Sequence, residues 1–211
     1  MGQLTERTPT AIAWQLPSGP IIRGMRWGDE PDRVVLLHDA GRDLDAWGPL
    51  PARLAARLPV AVVNLDLPGH GLSDDPWRED DAADLLRVVL RDTESAGRTF
   101  VVTAGQLAGL TLGMADELGI AGLIALSPRA PSSSATLLRS PTVPKLLFAG
   151  ALAGDDLQVT RQVASFTGGW AVVTSIPAAT TGTDLLDDSW RRTVFDQIET
   201  FLRDCLIRRP R

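Results

Sequence analysis

The chain has 211 residues, of which 44% are hydrophobic and 22% charged, and it carries a net charge of −5 at pH 7. That apolar content supports a packed core in a single domain over residues 1–211 and argues against disorder. The acidic balance argues against a general nucleic-acid binder, which needs a basic footprint, and no apolar run approaches the roughly 20 residues needed to span a bilayer.

Residues 10–16 and 20–27 read as the strands of a hairpin turned by Pro17-Ser18-Gly19. Residues 33–38 (RVVLLH) form a short apolar run with the length of a buried strand. Over 44–57 helical spacing sets in at Leu50, with Leu50, Leu54 and Ala55 on one face, and Pro59 stops it. Residues 60–66 are a second buried strand. Residues 79–95 predict a helix with Ala83, Leu86, Val89 and Leu90 inward and acids at its start, where the helix dipole favours them. Strands follow at 99–104, 121–126, 144–149 and 170–176, with a helix at 106–117. A last helix over 187–207 places Trp190, Val194, Ile198 and Phe201 three to four residues apart. The Pro/Ser-rich stretch 128–144 reads as a nested loop or short helix. Short apolar runs alternating with helical segments predict a mainly parallel sheet with crossover helices.

The lone cysteine, Cys205, excludes an internal disulfide framework and a cysteine-rich metal site, and reads as helix packing. No metal or cofactor is expected. The opening MGQLTERTPT lacks an apolar signal core, so a cytoplasmic protein is expected. There are two histidines, His38 and His70, and none after them.

Three segments carry a resemblance. They are VVLLHDAGRDLDAWGPL around His38, VVNLDLPGHGLSD around His70, and VVTAGQLAGLTLGMA with glycines at 105 and 109. In order and spacing they resemble the oxyanion loop, the Gly-His-Gly turn and the nucleophile elbow of the α/β-hydrolase fold family. The resemblance spans roughly residues 10–207. It implies a three-layer α/β sandwich with a mostly parallel eight-stranded sheet and an antiparallel first hairpin. Only about 17 residues separate Leu126 from Pro144, so it also implies a minimal lid or none.

The chain departs from that family where chemistry is done. Taking Gly105 and Gly109 as the frame, the elbow centre is Leu107, which has no lone pair with which to attack. The resemblance aligns the family histidine with Thr181, in Ile176-Pro177-Ala178-Ala179-Thr180-Thr181-Gly182, and the family acid with Ala153. Asp155 and Asp156 follow closely. They read as solvated loop acids near a helix start, the alternative being that a longer loop brings one into the acid position. The backbone N–H groups of Ala40 and Ala108 fall where the oxyanion donors would be. Asp39 replaces a glycine beside them; pointing inward it opposes an oxyanion, pointing outward it caps the turn.

The candidate site is therefore Asp39, Ala40, Gly41, Leu107, Ala108, Pro128, Ala153 and Thr181, at the carboxyl ends of the strands. His38 and His70 are expected to hold loops. Ser73, Ser127 and Thr103 are expected to be turn or strand residues, and the tryptophans core or pocket wall. The leading expectation is a pseudoenzyme that binds a small apolar molecule or a protein partner. One alternative is an esterase-like hydrolase rebuilt from Ser73 or Ser127 with His38 or His70, or an enzyme using carboxylates such as Asp39. The other is a structural role, in a homo-oligomer or beside an active paralogue.

Overall fold

The computed structural model describes residues 7–76, 81–91, 97–129, 142–187 and 189–207. Eight strands form one sheet in the order β1-β2-β4-β3-β5-β6-β7-β8, and the chain divides into two compact units, Met1–Thr99 and Phe100–Arg211.

In the first unit, β1 (Thr10–Gln15) and β2 (Ile21–Trp27) pair antiparallel, with Thr10 opposite Arg26 and Gln15 opposite Ile21. Gly19, at φ +115°, makes the turn that lets Leu16 N–H reach the Pro20 carbonyl at 2.9 Å. β2 then lies antiparallel to β4 (Ala61–Leu65). That approach needs a glycine at 24, because a Cβ there would sit 2.5 Å from the Asn64 carbonyl oxygen. β3 (Arg33–Leu37) runs parallel to β4, and every residue of both strands is buried, which is why apolar residues dominate both, with Arg33 and Asn64 the polar exceptions. A 3-10 turn at Leu44–Trp47, capped by the Asp43 side chain, leads into α1 (Leu50–Arg57), which buries Leu50, Pro51, Leu54 and Ala55. α2 (Ala82–Leu90) buries Leu85, Leu86, Val89 and Leu90. The remainder of the helix expected over 79–95, at 79–80 and 92–95, lies outside the described residues.

β5 (Thr99–Ala104) leads into the second unit with α3 (Gly105–Met114), β6 (Ile120–Leu126), β7 (Lys145–Gly150), α4 (Asp156–Phe166), β8 (Ala171–Ile176), a 3-10 turn at Gly182–Leu186 and α5 (Arg191–Ile207). β6, β7 and β8 are parallel, with Leu123 beside Lys145 and Lys145 beside Ala171. Ala108, Ala125 and Leu147 form a buried cluster on one sheet face, against which Ala164 of α4 and Val173 of β8 pack. α5 covers the other face: Val194, Ile198, Phe201, Leu202 and Cys205 are buried, and a Cβ on Gly122 would lie 3.7 Å from the Cys205 sulfur. Each fully buried aliphatic side chain of this kind stabilises the fold by about 1.5–3 kcal/mol.

The mostly parallel eight-stranded sheet and the antiparallel first hairpin agree with expectation. α4 was not anticipated. Its buried stripe is Asp156, Thr160 and Val163, two polar residues in three, so it carries little apolar periodicity. Most of the 128–144 stretch, at 130–141, lies outside the described residues, and with it the expected minimal lid. Among the described residues no helix is long and apolar enough to cross a membrane.

Candidate functional site

The residues of interest in the first unit sit on two loops, one after β3 and one after β4. Asp66, at the end of β4, is buried and organises both. Its Oδ1 accepts the Leu44 N–H at 2.8 Å and its Oδ2 the Leu72 N–H at 2.9 Å, while its carbonyl accepts the Ser73 hydroxyl at 2.7 Å. Gly71, at φ +52°, passes so close that a Cβ would fall 2.2 Å from the Asp66 carboxylate. Ser73 Oγ also accepts the Arg23 N–H at 2.8 Å, and Asp74 pairs with the Arg23 guanidinium at 2.5 Å. Ser73 is therefore a turn residue, as expected.

The two histidines stitch these loops to each other. The buried His38 contacts the Asp39 carbonyl through Nδ1 at 2.7 Å and accepts the Leu67 N–H on Nε2 at 3.0 Å. His70 mirrors it, with Nδ1 at 2.8 Å from the Pro68 carbonyl and Nε2 accepting the Gly41 N–H at 2.8 Å. Nδ1 must carry the hydrogen in both rings, because a carbonyl can only accept. Burial holds the His38 ring below the usual imidazole range, against the opposing pull of its Asp39 hydrogen bond. Both histidines hold loops, in line with expectation. Of the other loop residues, Asp39 is half-buried, and Ala40 and Gly41 are exposed.

In the second unit the strand-to-helix turn lies two residues earlier than the glycine frame suggests. β5 ends at Ala104 and the helix begins at once, so the sharp turn falls on Gly105, at φ +59°. Leu107 is instead a buried residue of the first turn of α3, and its carbonyl accepts the Thr111 hydroxyl at 2.8 Å. Ala108 is fully buried in the cluster against β6 and β7, and its N–H is where the first i→i−4 bond of α3 closes. Gln106, directly after the turn, is the exposed residue there. The glycine frame takes Gly105 as its edge and not as the turn itself, although the strand end at Ala104 marks the turn there.

Pro128 is buried, and Arg129 beside it donates its N–H to the Gly105 carbonyl at 3.0 Å. Ser127 is buried at φ +49°, a left-handed backbone rarely adopted by residues other than glycine. Its hydroxyl donates to Asp156 Oδ2 at 2.8 Å, and the same oxygen accepts the Gly150 N–H at 2.7 Å. Arg129 lies 3.8 Å from Asp156 and 3.6 Å from Asp155. The expectation of two solvated acids thus needs correcting for Asp156. It is fully buried, because the Gly150 amide and the Ser127 hydroxyl replace its water; Asp155 is exposed. Ala153 is half-buried and folds back so that its N–H reaches the Gly150 carbonyl at 3.3 Å. A Cβ on Gly150 would meet Ala153 Cβ at 2.9 Å and the Thr180 carbonyl at 2.2 Å. Thr181 is half-buried and precedes the 3-10 turn without a side-chain cap. The carboxyl ends of β5, β6 and β7 thus gather Gly105, Pro128 and Ala153 with the Thr180–Thr181 backbone, while Leu107 and Ala108 belong to the packed base of α3. Trp170 is not core: it is exposed and stacks on Phe201 with ring centroids 5.5 Å apart.

Among the described residues no group of three or more His, Cys, Asp and Glu side chains could hold a metal ion.

A family model described as the alpha/beta hydrolase family matches residues 34–206. A curated relative, the dihydrolipoyllysine-residue acetyltransferase component of the acetoin cleaving system of Pseudomonas putida, is 34% identical over 105 residues. That match covers 48% of this chain and only 27% of the relative. An esterase of Pyrococcus furiosus superposes with a TM-score of 0.72 at 13% identity, over 94% of this chain and 93% of the esterase. The alpha/beta hydrolase domain-containing protein 10 from mouse gives a TM-score of 0.74 at 15% identity, over 92% of this chain and 99% of that one. The thioesterase domain from the curacin biosynthetic pathway gives 0.67 at 16% identity, with coverage of 92% and 99%. At these identities the structural likenesses establish the fold.

Proposed function

Since the chain belongs to the alpha/beta hydrolase family, we propose that it is a member that has lost the family's reaction and holds a small apolar molecule at the carboxyl ends of β5, β6 and β7. The observation that carries this reading is Gly105. A nucleophile in this fold sits on the strained strand-to-helix turn, where its side chain stands clear of the sheet. Here that turn, at φ +59°, belongs to a residue with no side chain. Nothing at this point can attack a carbonyl carbon.

The remaining groups support the same reading. The chain has no histidine after His70, and Thr181 cannot take a proton near neutral pH as imidazole does. Both ring nitrogens of His38 and of His70 are engaged with backbone groups. The Ser73 hydroxyl is directed to the Asp66 carbonyl, and that of Ser127 to Asp156. Asp156 follows Ala153 closely, but its engaged oxygen serves Ser127 and Gly150. A hydrolase rebuilt from one of these serines and one of these histidines would need the hydroxyl and the ring of that pair to leave their present partners. Backbone donors alone, without a nucleophile and a base, leave acyl transfer slow.

The test combines a fluorophosphonate probe with short p-nitrophenyl esters. No labelling and no turnover above the buffer rate are expected, together with a raised melting temperature for some members of a panel of small apolar acyl compounds. Turnover of an ester that a single substitution abolishes would overturn the reading. A panel without any melting shift would remove the apolar-ligand half and leave a protein partner.

A further inference from the structure

The two histidines of the first unit are arranged as more than spacers. His38, on the loop after β3, reaches the amide of Leu67 on the loop after β4, and His70, on the loop after β4, reaches the amide of Gly41 on the loop after β3. Each ring therefore fastens its own loop to the other one. Each does so as a neutral imidazole, with hydrogen on Nδ1 and a lone pair on Nε2 turned toward a backbone N–H. An imidazolium carries hydrogen on both nitrogens. A proton on either ring would consume the lone pair that accepts the amide, and would set N–H against N–H at under 3 Å in His70.

The rings are not equivalent. His38 is fully buried, whereas His70 is in part open to solvent and is the ring a proton can reach. They touch edge to face, with centroids 5.3 Å apart, so charge on one opposes charge on the other. The charged groups on the two segments are Asp39, Arg42 and Asp43 after β3, Asp45 on the 3-10 turn, and Asp66, Asp74 and Asp75 after β4. Asp66 lies 4.0 Å from His38 Nε2, and Asp74 is paired with Arg23. The Asp66 carboxylate is already occupied by the amides of Leu44 and Leu72, so it is tied to the scaffold. The Gly41 side of the clasp is different: residues 40–43 are exposed and Gly41 has φ +80°.

We propose that His70 is an acid-released latch on the loop after β3: when its Nε2 takes a proton, the Gly41 amide is let go and residues 39–43 loosen, while β3, β4 and the buried His38 stitch stay in place. The latch works whether or not the second unit binds a ligand, so it stands apart from the reading of function above.

The experiment is amide hydrogen exchange on the ¹⁵N-labelled full chain between pH 8 and pH 5, expressed as protection relative to the unstructured chain at each pH. The protection of Gly41 is expected to fall by about tenfold toward pH 5 while that of Leu67 and of the β3 and β4 amides is kept. In His70→Gln, whose amide oxygen can accept but cannot titrate, the protection of Gly41 should not change with pH. His70→Asn serves the same purpose should the longer side chain disturb folding. Gly41 protection that stays level to pH 5 in the natural chain would overturn the latch. So would an equal fall in a folded His70 variant, or a parallel loss at Leu67 and in the strands.

Discussion

Asp156 and Ser127 meet at 2.8 Å inside the second unit, and the carboxylate oxygen that takes the serine hydroxyl also takes the Gly150 amide. One oxygen of a helix residue thus holds the ends of β6 and β7. Asp156→Ala would strand two buried donors, each costing about 1–3 kcal/mol. A loss of about 2–4 kcal/mol in urea unfolding is expected, with a smaller loss for Asp156→Asn, which keeps an acceptor. A change below about 0.5 kcal/mol in the alanine variant, the scale of an ordinary surface substitution, would contradict the role.

Gly105→Ser restores a hydroxyl at the turn without restoring a base. The left-handed backbone there disfavours any residue with a Cβ, so stability should drop by about 1–2 kcal/mol. Ester turnover should stay at background, because serine without a proton acceptor is a poor nucleophile. Steady-state assays beside thermal melts check both halves, and a serine variant with clear turnover would show that the protein holds a base within reach of the turn.

The pH dependence of the first unit has a defined sign at Asp32. Burial works to raise its carboxyl pKa, but hydrogen bonds from the Arg98 side chain and N–H prevail and hold it below the ordinary range. The folded pKa lies below the unfolded one, so this pair's contribution is present above the ordinary aspartate value near 4 and is lost as pH falls through the depressed value. Asp32→Asn should therefore lower stability at pH 7 by about 1 kcal/mol, allowing for partial exposure of the pair. The gap to the natural chain should close as pH falls through the depressed value. Denaturant midpoints at pH 7 and in acid measure it; a gap that widens in acid would reverse the assignment.

Gly24→Ala addresses the sheet edge. A Cβ at 2.5 Å from the Asn64 carbonyl and 2.9 Å from Leu65 Cα and Cβ meets the β4 chain itself and not the far end of a flexible side chain. The β2–β4 pairing must open locally, at a cost of about 1–3 kcal/mol by the standard of overpacked sites. Loss of amide protection at Met25 and Leu65 beyond that at Val35 would locate the damage.

The fold was largely legible because the buried strands carry their signal in plain composition. RVVLL and AVVNL are each apolar at four of five positions, and TFVVTA ends where the helix starts. The site was legible only in part. The glycines at 105 and 109 frame a Gly-x-x-x-Gly pattern that drew attention to Leu107, but backbone sterics put the turn at the first residue after the strand, which is Gly105. Asp156 reads as a solvated acid because acids near a helix start are usually wet, and its partners come from residues 6 and 29 positions away. No local pattern reports such distant pairing. The histidine clasp was foreseen in kind, as loops held by hydrogen bonds, but its reciprocity depends on tertiary geometry.

Asp66 has a final consequence for how the first unit comes apart. The segments that begin at Leu44 and at Leu72 hang from the two oxygens of one side chain, and Ser73 hangs from its carbonyl. Neither segment can fray alone without disturbing the anchor of the other, so the two should behave as a single cooperative patch. A protease that nicks one in partially denatured protein should find the other exposed at the same denaturant concentration.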